Sequence, residues 1–429
     1  MRRILIAALA LLVLGTGAHA QRALRALEFE DFGFTRPLSP GARPAGMGGA
    51  YVSSGNDVHA LMYNPAGLAR IKRFEASIGL LQEQNTTETV FLGSPSSIET
   101  RDGAMELLSA AFPIPTYRGA LTGAIGVYRL FSSYLDLHYS GVDPQMNTYD
   151  EYLLQQTGSL LSYNLGLGVD LATVLSGGLT VFFVDGSIES LRQWRRDFVS
   201  EVPSRQRFLS DDVQMDVDGV GAKLGGQFFI LPGLQAGLVF TTPIALSARG
   251  TGFIETSEHI DNGVDTFFQS FGSVSADYVL PFRVDIGLSG DWKGVLAEVD
   301  VTWADWSEAS IDGRRLRNQA LQTMFREVFD VRTGVEWTLP WIPARVRGGY
   351  AWLPDPLMYV QSDRIENGDL ERVEIVEERH QWTAGAGGLI GSVLTLEAAF
   401  THTSSERASG RISHRMEAQS FVFTAAYRF

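Results

Sequence analysis

The chain has 429 residues, 45% of them hydrophobic and 11% aromatic, with 45 glycines and no cysteine. Its net charge of −14 excludes the basic face that nucleic-acid binding requires. The absence of cysteine excludes a disulfide scaffold, and beyond Gln21 no apolar run approaches the ~18–20 residues of a spanning helix.

The first element in chain order is a secretory signal over residues 1–20. Arg2 and Arg3 supply the positive start, residues 4–14 the apolar core, and Ala18-His19-Ala20 the small-x-small cleavage pattern, so the mature chain is expected to begin at Gln21. Residues 21–72 form a second unit, whose centre is the run GARPAGMGGAYVSSGNDVHALMYNPAGL at 41–68. That run has no period of 2 or 3.6, and its glycines allow backbone to approach backbone. It reads as a compact hatch or plug, with Pro65 biasing Asn64 toward an extended turn before the first strand. A phosphate loop would need a strand before the glycines and a G-x-x-x-x-G-K-[ST] or G-x-G-x-x-G spacing, and neither is present.

Residues 73–429 then alternate with period 2. In residues 163–171, Tyr163, Leu165, Leu167, Val169 and Leu171 alternate with Asn164, Gly166, Gly168 and Asp170. Residues 283–289, 295–303 and 421–429 repeat the pattern. Short connections near 113–118, 174–178, 231–233, 291–294, 340–343 and 391–392 alternate with long polar stretches, expected as loops, near 84–103, 134–151, 190–211, 250–272, 307–327, 355–377 and 403–411. The count is about fourteen strands, an even number suited to an all-β transmembrane antiparallel barrel with its hatch in the lumen. The polar face of the later strands carries Arg283, Asp285, Glu298, Asp300, Arg332, Glu336, Arg345, Arg347, Glu397 and Arg428, expected to pair across neighbouring strands. The other face ends in Trp303, Trp337, Tyr350, Trp352, Tyr427 and Phe429, residues suited to a membrane boundary. Gly119, Gly123 and Gly126 mark a candidate kink in the third strand. The terminal Phe429 resembles the signal read by the barrel-assembly machinery. The location expected is the bacterial outer membrane, in contact with its lipid and lipopolysaccharide.

The N-terminal run resembles the signature of the FadL-type outer-membrane transport superfamily, through Met47-Gly48-Gly49-Ala50, Asp57 and Asn64-Pro65-Ala66. Residues 280–288, the stretch AEVDVTWADW at 297–306, and the runs 332–336 and 347–350 resemble its later strands. The resemblance implies a fourteen-stranded barrel and passive uptake of a hydrophobic small-molecule ligand, a long-chain fatty acid or an aromatic hydrocarbon. It also implies hatch or gating positions at Gly46, Met47, Gly48, Gly49, Asp57, Asn64, Pro65 and Ala66. The Gly-rich ARPAGMGGAYV wording resembles the PorV-like branch of the superfamily more closely than the fatty-acid transporters, which implies an alternative as an accessory or shuttle barrel of protein secretion.

No catalytic constellation stands out. His59, His138, His259, His380, His402 and His414 are scattered, and no G-x-S-x-G occurs. Acidic pairs such as Asp211-Asp212 lack the calcium-loop spacing. Neither a cofactor nor a resident metal is expected, and the chain is read as a non-enzyme.

Overall fold

The computed structural model describes residues 38–429 apart from 118, 133, 145–146, 199–203, 262, 316–322, 367–368 and 410–411. The signal and residues 21–37 of the expected hatch lie outside the described residues.

Fourteen antiparallel strands close into one barrel. They are β1 (Glu75–Phe91), β2 (Ser94–Ile114), β3 (Leu121–Ser132, continued by Leu135–Asp143), β4 (Thr148–Ala172) and β5 (Leu175–Phe198). Next come β6 (Arg205–Leu231), β7 (Leu234–Thr241 and Ile244–Ile260), β8 (Thr266–Leu280 and Arg283–Trp292) and β9 (Val295–Asp305). The last five are β10 (Glu327–Thr338), β11 (Ala344–Glu366), β12 (Asp369–Ile390), β13 (Leu394–Ser409) and β14 (Ile412–Arg428). Pro243 and Pro281 interrupt β7 and β8, because a proline cannot donate to the ladder. Closure is made by β1 against β14, from Glu75↔Arg428 to Phe91↔Ile412, and by Phe429 N donating to Phe74 O at 3.1 Å.

The alternation places side chains as the sequence implies. Tyr163, Leu165, Leu167 and Leu171 point outward and are exposed, whereas Asn164 is buried. From Val295 to Trp303 the outward row of β9 spans about 26 Å along the strand, near the ~25 Å apolar band of a membrane barrel. Aromatic contacts mark its ends: Phe240–Phe282–Trp303 on one rim, Trp337–Trp341 and Tyr427–Phe429 on the other.

The long polar stretches differ from expectation. For the most part they are not loops but extensions of the ladder; the described part of 307–327 instead holds the end of a 3-10 helix (Trp306–Glu308) and strands of two or three residues. Gln84↔Arg101 continues pair by pair to Phe91↔Ser94, and the hairpin turns only at Leu92-Gly93. Backbone pairing does not require an apolar face, so polar residues on both sides of a strand obscured it from a hydropathy reading. The short connections are tight turns, all at the end that carries Phe74 and Phe429.

Candidate functional site

Residues 38–71 make side-chain or backbone hydrogen bonds to ten of the fourteen strands, on every side of the closed wall, so this segment lies in the lumen. It is built from helix α1 (Ala42–Gly46), helix α2 (Ala60–Tyr63) and a 3-10 helix (Pro65–Arg70). Almost all of it is buried.

Arg43, in α1, is the centre of its anchoring. The guanidinium reaches Glu336 of β10 through Nε at 3.0 Å and Nη2 at 3.1 Å, a bidentate pair. Its Nη1 donates to Tyr51 Oη at 2.8 Å, Asn56 Oδ1 at 2.7 Å and Asp57 Oδ2 at 3.2 Å. Glu336 is held from the other side by Arg347, which also reaches Glu397 at 2.7 Å. Asp57 accepts from Tyr51 Oη at 2.6 Å and faces His59 Nδ1 at 3.1 Å. Burial pushes the Asp57 carboxyl up, but His59, Arg43 and Tyr51 outweigh it and hold the group well below the usual carboxylate range. Burial pulls His59 down, and the Asp57 carboxylate more than reverses it.

The glycine run works by close approach. Gly48 and Gly49 have φ of +68° and +81°, values that glycine adopts without strain. A Cβ on Gly48 would lie 2.9 Å from Thr333 O, so Met47-Gly48-Gly49 lies flat against the wall. Gly46 packs on Gly385 in the same way, and Gly48 N donates to Thr383 Oγ1 at 3.0 Å. The wall is also bare where the segment touches it. A Cβ on Gly349 would meet Gly48 N at 2.3 Å, and one on Gly178 would meet Pro65 C at 2.2 Å. Asn64 is extended, caps the 3-10 helix by accepting from Ala66 N at 3.1 Å, and donates to Val52 O and to Gly226 O on β6. The sequence-derived positions Gly46, Met47, Gly48, Gly49, Asp57, Asn64, Pro65 and Ala66 therefore belong to one buried segment.

Two lumen carboxylates correct the expectation of strand-to-strand pairing. Asp300 accepts the backbone N–H of Tyr51 at 2.7 Å and of Val52 at 3.0 Å. Glu298 accepts from Ser53 N at 2.7 Å and Ser54 N at 3.2 Å, and from both serine hydroxyls. They bind a turn of backbone because residues 51–54 form neither helix nor strand and leave their donors to be satisfied from the wall. Glu336–Arg347 and Glu75–Arg428 do pair across neighbouring strands.

Beyond this segment lies a chamber of about 150 Å³. Met62, Leu130, Phe131, Phe182, Ile244 and Leu280 give it an apolar wall, with Lys223, Arg283, Asp285 and Arg332 on its polar side. Lys223 donates to Met62 O and lies 5.9 Å over the Phe182 ring, which holds its charge against the segment.

The chamber touches a fault in the wall. The β2–β3 ladder runs only from Ile114↔Leu121 to Leu107↔Tyr128, and the β3–β4 register shifts between Arg129 and Phe131. Gly158 on β4, two residues from Leu160 at the shift, has φ +144°. The gap is bridged by Arg129 Nη1 and Asp102 Oδ2 at 3.1 Å, and its lining is polar: Tyr134, Ser159, Ser187 and Glu189. Of the glycines read as a kink, Gly119 lies in a turn at φ +77°, while Gly123 and Gly126 stand in the regular ladder. Arg43, the grip of Glu298 and Asp300 on residues 51–54, and the register shift escaped the sequence reading. The one signal for Arg43 was a lone cation inside an Ala-, Pro- and Gly-rich run.

No protein-family model and no curated protein matches the sequence. Solved structures do. A Pseudomonas aeruginosa FadL homologue matches with TM-score 0.61 at 14% identity, over 90% of this chain and 98% of that one. The Pseudomonas putida toluene transporter TodX matches with TM-score 0.61 at 13% identity, over 91% and 98%. The Ralstonia pickettii toluene transporter TbuX gives 0.55 at 15% identity, over 91% and 98%. Over nine-tenths of its length, this chain has the fold of FadL-type barrels.

Proposed function

We propose that the protein is an outer-membrane channel for the passive uptake of small hydrophobic molecules, with residues 38–72 acting as a hatch. The observation that carries this reading is the chamber whose apolar wall joins Met62 of the buried segment to Leu130 and Phe131 at the fault in the barrel. Its scale and its Met62, Phe131, Phe182 and Leu280 wall support a compact hydrophobic ligand: about 150 Å³ accepts a molecule of benzene's size, whereas a long acyl chain needs a longer groove. A monoaromatic hydrocarbon is thus the substrate class the chamber favours, in keeping with the likeness to TodX and TbuX, which are toluene transporters.

Two routes leave the chamber. The one through the hatch breaks the buried Arg43–Glu336 pair, and separating such a pair costs about 3–5 kcal/mol when one partner is lost. The other passes between β2 and β3 beyond Leu107↔Tyr128, where among the described residues no ladder has to open and the Arg129–Asp102 pair bridges the gap. The sideways route is the easier. No observation favours the secretion-accessory reading. Equilibrium binding of toluene, p-cymene, oleate and a water-soluble sugar to the purified barrel tests the class. Saturable binding of the aromatics is expected, and binding of none of them contradicts it.

A further inference from the structure

The outer part of β8 is an open sheet edge. On one side Thr266–Leu280 is fully laddered to β7, from Thr266↔Glu258 to Leu280↔Ile244. On the other side only Tyr278 and Val279 find a strand, the short Ser310–Ile311, and Asp277 exchanges bonds with Asp312. Among the described residues, 266–276 have no ladder partner on that edge. This region lies far outside the apolar belt. Phe271 is eleven residues beyond the rim aromatic Phe282, roughly 35 Å of strand at ~3.3 Å per residue.

Exposed edges are usually blunted by a charge, a proline, a bulge or a covering element. Residues 266–276, TFFQSFGSVSA, contain no charge and no proline, and their register with β7 has no shift. Instead the edge presents Phe267, Phe268 and Phe271, exposed at 62%, 54% and 73% in water. A row of unpaired backbone donors and acceptors beside exposed aromatic rings is matched by one ligand chemistry, an extended polypeptide. Its charge follows from the surroundings. Residues 250–282 carry Glu255, Glu258, Asp261, Asp265 and Asp277 and no Lys or Arg; Arg205 and Arg207 of β6 hold Glu258 and His259 faces Asp261 and Asp265, which leaves the stretch net acidic. We propose that the outer edge of β8 is a docking surface that adds an extended strand of a partner protein, apolar at alternate positions and basic at its ends.

This inference does not depend on which solute the barrel carries. It is tested with the full chain in lipid nanodiscs and a fluorescent peptide alternating Thr with Val and Phe between pairs of lysines. The wild type is expected to bind saturably. A Phe268→Lys/Phe271→Lys variant, altered only at exposed positions, is expected to bind at least tenfold more weakly while keeping its heat-resistant barrel and its hydrocarbon binding. Methylating alternate backbone nitrogens of the peptide is expected to weaken it as much. No binding by the wild type would overturn the proposal. So would equal affinity for the variant, or undiminished binding of the methylated peptide, which reduces the effect to charge attraction.

Discussion

Arg43 shows how much of the luminal segment rests on one side chain. Five hydrogen bonds leave its guanidinium, and it joins Asp57 of the hatch to Glu336 of the wall. Arg43→Met is expected to leave Asp57 with His59 as its remaining cationic partner and to cut the luminal segment's tie to Glu336, destabilising that segment by about 3 kcal/mol. Amide exchange over residues 41–62 should then rise about a hundredfold while strand amides stay protected; unchanged exchange would refute the anchoring role. The neighbouring pair sets a pH window. His59 has its pKa raised in the folded state, so its contribution is complete below the ordinary histidine value of ~6.5 and is lost as pH rises through the raised value. Asp57 has its pKa lowered, so its contribution is complete above ~3.9 and is lost as pH falls through the lowered value. Protection of residues 57–62 should therefore decline on the alkaline side, and His59→Asn should flatten that decline. An alkaline limb that survives the substitution would assign it to another group. At this scale the sequence located Met47-Gly48-Gly49, Asp57 and Asn64-Pro65 but not their partners. Glu336 lies 293 residues from Arg43 and Glu298 lies 245 from Ser53, and no local period encodes such pairs.

The strands and the buried segment 38–71 are fitted to each other through glycine. Gly178, Gly225 and Gly349 face the segment and leave room for Pro65, Asn64 and Gly48. Gly349→Val is expected to force the hatch off the wall and to speed its proteolysis at least tenfold, whereas Gly103→Val, where a Cβ meets nothing within 4 Å, should change neither. Equal sensitivity of both variants would rule out this packing account. Period 2 disclosed the apolar belt well, because outward and inward residues differ sharply in polarity there. It failed above the belt, where both faces are polar, and so the tall hairpins passed for loops. It also misplaced the break in β3. Glycines at 123 and 126 looked like the weak point, yet they keep regular pairing, and the shift falls at Arg129–Phe131, where Leu130 and Phe131 both turn into the lumen. A register shift belongs to two strands at once and leaves no mark on either alone.

For the whole molecule, strand number, closure and the direction of the short turns were legible because each follows from local alternation and turn spacing. The chamber was not, since its wall is assembled from α2, β3, β5, β7 and β8, and its size depends on how deeply the hatch sits. The account therefore turns on whether a hydrocarbon reaches the chamber and leaves through the gap between β2 and β3. The chain contains no cysteine, so Asp102→Cys/Arg129→Cys can be bridged there selectively with a reducible bis-thiol reagent. The deciding measurement is uptake of labelled toluene by lipopolysaccharide-bearing cells expressing this double variant, before and after reduction of the bridge. The account predicts that the bridged barrel loses most of its uptake over cells without the barrel and regains it on reduction. Uptake that is indifferent to the bridge would contradict it.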